Sequence, residues 1–262
     1  MKFAFYIAKR YLFSKRSRNI VHLVSYASIL SVLVGTAALV IVLSVFNGFG
    51  QLILSLYDSF DPALKISVVE GKTSSFDEVK TTLDQNDILY SQSLEEKVLL
   101  RYQDKEYIAT IKGVDKNFQN INSIDKMLVS GNYISNYENN NCVVGQGVAY
   151  YLSMGIGDMF DQLQVFVPNR EKKSLLAAES AFIQKSLVPV GVFSIQSDFD
   201  SEYVLAPISF VRKILNKPLQ STYIEVFCEE DQILELQAQI QQKIGDKYFV
   251  ENRYQQHAFL YL

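Results

Sequence analysis

The longest apolar stretch of this 262-residue chain lies near its N-terminus. Between Arg18 and Asp58 there is no Asp, Glu, Lys or Arg and one histidine, His22, and Ile29–Phe46 contains twelve Leu, Ile, Val or Phe residues. On the insertion scale such a composition favours a membrane by about 5 kcal/mol, so the stretch predicts a transmembrane helix. A buried core helix would carry a polar face, and a cleaved signal peptide would be shorter. We therefore expect an uncleaved span and a helical stalk over residues 19–60.

The basic and acidic residues lie on opposite sides of this span. Six basic residues occupy the first 18 positions, whereas all 28 acidic residues follow, beginning at Asp58. The positive-inside rule then predicts a cytoplasmic N-terminus and a main domain in the periplasm. Residues 1–18 fit either an amphipathic helix on the cytoplasmic leaflet or a basic flank that only sets topology.

After the span, the polar pattern alternates between strand and helix periods. Residues 63–71 read as a strand, and Ser75 to Glu78 has capping-box form and predicts a helix ending near Leu83. Two long alternating strands then meet at Gln103–Lys105, which predicts a hairpin. The first third of the domain is therefore β-α-β-β.

The middle of the chain departs from this order. INSIDKMLVSGNYI reads as a loop, and it is followed by a strand, a short helix and two further strands on either side of a polar loop. The last third returns to alternating strands and helices and closes with the strand KYFVEN. The predicted fold class is α+β, with a split α/β lobe over 61–120 and 190–252 and an inserted β-rich lobe over 121–189.

The common sequence motifs of catalytic and metal-binding sites are absent from this chain. It has two histidines and contains no HExxH, GxSxG, CxxC pair or P-loop, so we expect neither an enzyme nor a metal or cofactor site. The acidic, Trp-free body argues against nucleic acid. Cys142 and Cys228 each lie in a short apolar run, and we expect two buried free thiols rather than a disulfide.

Small residues recur along the span. Ala27, Ser31 and Gly35 are spaced by four, which is typical of a face where two membrane helices pack closely. The alternative is that small residues are simply common in membrane spans.

Several stretches resemble the lipoprotein-releasing, Lol-type permeases of ABC transporters, within the FtsX-like and MacB-like permease superfamily. FYIAKRYLFSKRSRN and VSYASILSVLVGTAALVIVLSVFNGF resemble the opening of these permeases, and VVGQGVAYYLSMGIGDMF, VFVPNR and VPVGVFSIQSDFDSEYVLAPISFVRKIL continue the likeness more loosely. Together these stretches cover nearly the whole chain.

The resemblance implies a four-span permease subunit that carries a MacB-like periplasmic core domain after its first span. ATP would be bound by a separate cytoplasmic ABC ATPase, and no cofactor by this chain. The other implied partners are a second permease copy or paralogue, membrane lipid, a lipoprotein substrate and a periplasmic lipoprotein chaperone. NRYQQHAFLYL resembles the lead into the second span, so residues 253–262 are expected to begin that lead. The sequence is then expected to be the N-terminal part of a longer permease located in the bacterial inner membrane.

Two sets of residues are candidates for contacts in such a complex. The resemblance implies a chaperone-contact loop that begins at Pro168, Asn169 and Arg170; an ordinary surface loop is the alternative. The outer end of the span could contact acyl chains of a lipoprotein, or else bulk lipid and neighbouring helices, through Val40, Leu43, Phe46, Asn47 and Phe49. Alternative functions are a MacB-like efflux permease, an FtsX-like regulator of a cell-wall hydrolase, or a single-pass membrane-anchored sensor or scaffold.

Overall fold

The computed structural model describes residues 3, 5–7, 10, 20–57, 62–155, 162–169 and 182–256. The chain divides into two compact units, Met1–Ser55 and Leu56–Leu262, which are described separately below.

One long helix, α1 (Ile20–Tyr57), accounts for most of the described residues of the first unit and ends two residues beyond it. The helix continues through Asn47 and Gly48 without a break, so the stalk is helical up to Tyr57, as predicted; positions 58–60 lie outside the described residues. Its hydroxyl groups bond back to the preceding turn: Ser31 Oγ donates to Ala27 O at 2.8 Å and Thr36 Oγ1 to Val32 O at 2.8 Å. Such internal bonds satisfy polar groups that would otherwise be costly in hydrocarbon.

The second unit is a mixed domain of strands and short helices, which confirms the α+β class. Its described elements, in chain order, are β1 (Leu64–Val68), α2 (Asp77–Gln85), β2 (Tyr90–Tyr102), β3 (Lys105–Val114), α3 (Phe118–Ile121), a 3₁₀ turn (Ser123–Met127), β4 (Leu128–Gly131), β5 (Asn141–Gly145), α4 (Gln146–Leu152), β6 (Leu163–Pro168), β7 (Phe182–Phe193), α5 (Ser197–Glu202), β8 (Tyr203–Pro207), α6 (Ile208–Ile214), β9 (Tyr223–Val226), a 3₁₀ turn (Glu230–Gln232), α7 (Ile233–Ile244), a 3₁₀ turn (Gly245–Lys247), β10 (Tyr248–Asn252) and α8 (Arg253–Gln256).

Six of the ten described strands close into a ring. The strand pairs are β2–β3, β3–β8, β8–β5, β5–β7, β7–β6 and β6–β2, of which β3–β8 and β5–β7 are parallel. The helices α4 and α6 pack on the apolar side of this ring, where Leu100, Ile111 and Val211 are fully buried. Gly113 allows the close approach of α6, because a Cβ there would lie 2.8 Å from Val211 Cβ.

Three of the other four described strands form an extension, in the order β10-β1-β9, that joins the ring where β9 pairs with the first residues of β2. The fourth, β4, pairs with β7 of the ring. Helices α2 and α7 cover one face of this extension, burying Leu83, Ile240 and Val250 with their neighbours in a separate apolar cluster. Gly245, with φ +71°, ends α7 in a conformation that residues with a Cβ rarely adopt.

Strands from both predicted lobes share the ring. β5, β6 and most of β7 come from residues 121–189, whereas β2, β3 and β8 come from the flanking segments. Strand pairing crosses the boundaries proposed at 121 and 189, and these boundaries stay a prediction.

Three sequence expectations need correction. The capping box at Ser75 does not form: the residue before α2 is Phe76, at φ +56°, without a side-chain cap, and the helix runs to Gln85. The stretch predicted to be a loop contains β4, which pairs with β7. Cys142 and Cys228 are both free, as expected, but only Cys142 is fully buried.

Candidate functional site

The described side chains of α1 leave a long apolar surface uncovered. The stretch 23–49 is long and apolar enough to cross a membrane, and none of its most hydrophobic part is buried. Leu39 and Val40 are about 60% exposed, whereas leucines in the domain core are fully buried. Contiguous apolar surface of this extent marks contact with lipid or with another protein.

The predicted contact residues of α1 do not all share one side of the helix. Val40, Leu43 and Asn47 follow i, i+3, i+7 spacing and lie on one face. Phe49 lies on the opposite side from Val40, and Phe46 lies between the two. The structure therefore brings together three of the five candidate residues.

The predicted packing residues do form one stripe. Ala27, Ser31 and Gly35 lie on successive turns of one face of α1, and a Cβ added at Gly35 would meet nothing within 4 Å. The stripe is open to a second helix, and its packing role stays a prediction.

The chain enters and leaves the domain at the same end. Strands β1 and β10 are antiparallel, with Leu64 opposite Asn252, so the start of one lies beside the end of the other. The Gln256 side chain donates to Pro62 O at 3.4 Å and to Glu251 O at 3.3 Å. The segments that precede and follow the domain in the chain therefore join it at neighbouring points.

The predicted chaperone loop leaves from the end of a hairpin. Pro168 is the last residue of β6 and lies opposite Phe182, the first residue of β7. Both are exposed, and Asn169 is half-buried. Arg170 lies outside the described residues.

A buried polar cluster joins the ring to the extension. Lys112 on β3 and Glu225 on β9 are 1% and 0% exposed, and their charged atoms lie 2.7 Å apart across β2. The second carboxylate oxygen of Glu225 accepts from Ser93 Oγ at 3.2 Å, and the Tyr223 hydroxyl donates to Glu95. The Lys112 ammonium also lies 4.8 Å from the Phe118 ring centre.

Burial dominates the electrostatics of this cluster. Desolvation raises the pKa of Glu225, and the interaction with Lys112 only partly offsets it. Burial together with Glu95 raises the pKa of Tyr223 well above its usual range. Both Glu225 oxygens already have partners, so the cluster acts as a structural tie between ring and extension. The cluster could not be predicted from the alternation of polar and apolar residues, because Lys112 and Glu225 are 113 residues apart in the chain.

An open groove lies between α4 and β4. Its volume is about 810 Å³, and Lys105, Ser130 and Tyr150 contribute to its lining. Tyr150 is 78% exposed, and the Tyr151 ring stacks on Tyr107 with centres 4.9 Å apart. Exposed tyrosines are enriched at protein interfaces, so the groove is a candidate contact surface. The sequence predicted β5 and α4 here but a loop in place of β4, and it assigned no contact role to these residues.

Groups of three or more metal-ligating side chains are not found in the part of the chain that the structure describes. The expectation that this chain is not an enzyme and holds no cofactor stays a prediction.

Together, the exposed apolar helix and the domain with adjacent ends are typical of a membrane-anchored module. The chain belongs to the MacB-like periplasmic core domain family, whose model matches residues 25–243. The match confirms the family resemblance, and with the apolar helix it identifies a membrane protein.

One relative adds a more particular likeness. The chain is 25% identical over 242 residues to the lipoprotein-releasing system transmembrane protein LolE of Haemophilus influenzae (strain ATCC 51907 / DSM 11121 / KW20 / Rd), covering 86% of this chain and 55% of the relative. The chain thus spans about half the length of that protein.

Solved structures support the fold. The extracellular domain of the noncanonic ABC-type transporter YknZ from Gram-positive bacteria matches with a TM-score of 0.52 and 9% identity, over 72% of this chain and 99% of that one. The periplasmic region of MacB from Actinobacillus actinomycetemcomitans matches with a TM-score of 0.52 and 12% identity, over 76% and 92%. At these identities the likeness concerns the fold alone.

Proposed function

We propose that this chain is the first span and the outer domain of a permease subunit of an ABC transporter. In this proposal a partner subunit hydrolyses ATP, and the permease uses that energy to extract lipoproteins from the bacterial inner membrane. The family match and the likeness to LolE support a permease, and the lipoprotein substrate rests on that relative.

The adjacent ends of the domain are the observation that carries the proposal. A domain inserted between two membrane spans must receive the chain and return it on the side that faces the membrane. The contact between Gln256 and Pro62 brings these two points together. A terminal sensor domain, the single-pass alternative, has no need for this arrangement.

The charge distribution supports an orientation. The six basic residues before the span keep the N-terminus in the cytoplasm, beside the ATPase, and the acidic domain in the periplasm. The helix α1 extends past the apolar part at Phe49 to Tyr57, so a movement of the span would reach the base of the stalk through one continuous helix.

Contacts with partners follow from the exposed surfaces. The stripe of Ala27, Ser31 and Gly35 packs against a helix of the same permease, of a second copy or of a paralogue. Val40, Leu43 and Asn47 form the face of α1 that meets the acyl chains of the substrate. The hairpin end at Pro168 and Asn169 presents the loop to a periplasmic chaperone.

Depletion of the native protein tests the proposal. We expect lipoproteins destined for release to accumulate in the inner-membrane fraction as the protein disappears. Unchanged lipoprotein sorting, accompanied by loss of resistance to an exported compound, would instead favour a MacB-like efflux permease. Unchanged sorting with a defect in cell separation would favour an FtsX-like regulator.

A matched pair of variants tests the substrate face. Replacing Val40 and Leu43 by Ala should lower lipoprotein release several-fold at an equal protein level. Replacing Leu30 and Ile41 by Ala removes similar exposed side chains from a side of α1 that carries neither this face nor the stripe of Ala27, Ser31 and Gly35, and release should stay near that of the wild type. Equal losses from both pairs would argue against a dedicated face.

A further inference from the structure

The edge strand β10 exposes a set of backbone groups that strands normally pair. Among the described strands it pairs with β1 alone, on one side. In an antiparallel strand, alternate residues direct both their N–H and C=O groups to the same side. For β10 the outward residues are Tyr248, Val250 and Asn252. An open edge of this kind is a template for pairing with another chain.

Glutamine side chains of α7 occupy these groups. Gln241 accepts from Val250 N through Oε1 at 3.0 Å and donates through Nε2 to Tyr248 O at 2.9 Å. Gln237 donates to Val250 O at 2.7 Å and accepts from the Asn252 side chain at 2.9 Å.

A third glutamine completes the row from α8. Gln255 Oε1 accepts from Asn252 N at 3.1 Å and from the Gln237 amide at 2.6 Å. The outward groups from Tyr248 O to Asn252 N are therefore all bonded to amide side chains, in the positions that a neighbouring strand would fill.

The sequence of β10 offers little other protection. YFVEN contains no Lys or Pro, the residues that commonly guard edge strands. Phe249 is 48% exposed, and Val69 and Leu234 near the same edge are 59% and 73% exposed. An uncovered β10 edge would therefore gain both backbone bonds and apolar burial by pairing with β10 of a second copy, an arrangement that is self-complementary about a twofold axis.

We infer that Gln237, Gln241 and Gln255 form a cover that takes the place of an eleventh strand and prevents two copies of this domain from pairing through β10. The inference is independent of the substrate and of the transport proposal, since it rests on contacts within the domain.

The test uses the full chain in detergent micelles with Gln237 and Gln241 both changed to Met, which keeps side-chain length and removes the amide groups. Gln239→Met is the matched control, because the Gln239 amide contacts only the exposed Glu235 among the hydrogen bonds described for it. Deuterium uptake of the peptide containing Val250 reports the edge, and uptake of the peptide spanning β1 reports whether the sheet remains folded. Sedimentation at several protein concentrations reports self-association.

In Q237M/Q241M the Val250 amide should exchange about tenfold faster, because its N–H loses the acceptor on Gln241; a tenfold change corresponds to about 1.4 kcal/mol. It should also form dimers at concentrations where the wild type and Q239M remain at their normal size, with β1 uptake unchanged. Wild-type exchange at Val250, or faster exchange without added self-association, would overturn the inference.

Discussion

The apolar side chains of α1 and those of the domain core are of the same kinds but have opposite exposures. Leu100 in the ring is fully buried, whereas Leu39 in α1 is 61% exposed. The ring supplies its own cover through strand pairing and the helices α4 and α6. The helix α1 must obtain its cover from outside, from lipid or from other helices. The same kinds of apolar side chain therefore stabilise the fold of the domain, whereas in α1 they favour contact with lipid or with other helices.

A second difference lies within the domain. The ring and the extension each have an apolar core, and the Lys112–Glu225 pair joins them. Buried ion pairs contribute little net stability over an apolar substitute, but removing one partner is costly. The four predictions below test these differences in order of decreasing effect.

Lys112→Met should have the largest effect, about 3–5 kcal/mol on the free energy of unfolding, because Glu225 stays buried without its partner. Denaturant unfolding followed by circular dichroism measures it. Changing Glu225 to Leu in the same chain should recover most of the loss. If the double variant is as unstable as K112M, the cost comes from packing around Lys112 rather than from the orphaned charge.

Leu100→Ala and Leu39→Ala test the comparison between ring and span. The first should lower the free energy of unfolding of the domain by about 2–5 kcal/mol, because it leaves a cavity in the ring. The second should leave the unfolding of the domain unchanged, because Leu39 lies in the other compact unit with its side chain exposed. A large destabilisation by L39A would mean that α1 is part of the domain's core.

The raised pKa of Glu225 predicts a pH dependence of stability. The folded state binds the proton of this carboxyl more tightly than the unfolded state, so the free energy of unfolding should fall as pH rises from the usual glutamate value through the raised one. Glu225→Gln should remove that part of the slope while leaving the rest of the pH profile intact. Identical slopes in the two proteins would show that the carboxyl titrates alike in both states.

Changing both Gly48 and Gly50 to Ala should affect activity more than folding. Each change favours the helical state by up to about 1 kcal/mol, and a Cβ at Gly48 meets nothing within 4 Å. We expect a normal protein level and reduced lipoprotein release, because the stalk becomes stiffer where it leaves the membrane. Measuring release and protein level together checks this. A parallel loss of both would indicate a folding defect.

Periodicity along the chain predicted the local elements well. The alternation on both sides of Gln103 predicted the hairpin of β2 and β3, and the uncharged run predicted the span and its stalk. The strand β4 was missed because LVSG is short and mostly exposed, and it forms only where β7 provides a partner. The capping box failed because Phe76 is fully buried in a left-handed conformation, which shifts the start of α2.

The long-range features could not be predicted from local pattern. Ring closure depends on β6 pairing with β2 across more than sixty residues, and alternation does not specify which strands meet. Glu225 lies in the short run IEVFCEE, and its burial could not be predicted there because it depends on Lys112 from a distant strand. The glutamines of α7 read as the polar face of an amphipathic helix, and only the fold brings them to the edge of β10.

Membrane topology tests the central claim most directly. With Cys142 and Cys228 replaced by Ala, single substitutions Tyr6→Cys and Val129→Cys place one thiol before the span and one on the exposed strand β4. A membrane-impermeant thiol reagent applied to intact spheroplasts should label the second variant and leave the first unlabelled until the membrane is opened. Labelling of Y6C in intact spheroplasts with protection of V129C, or equal labelling of both, would contradict a span that holds this domain in the periplasm.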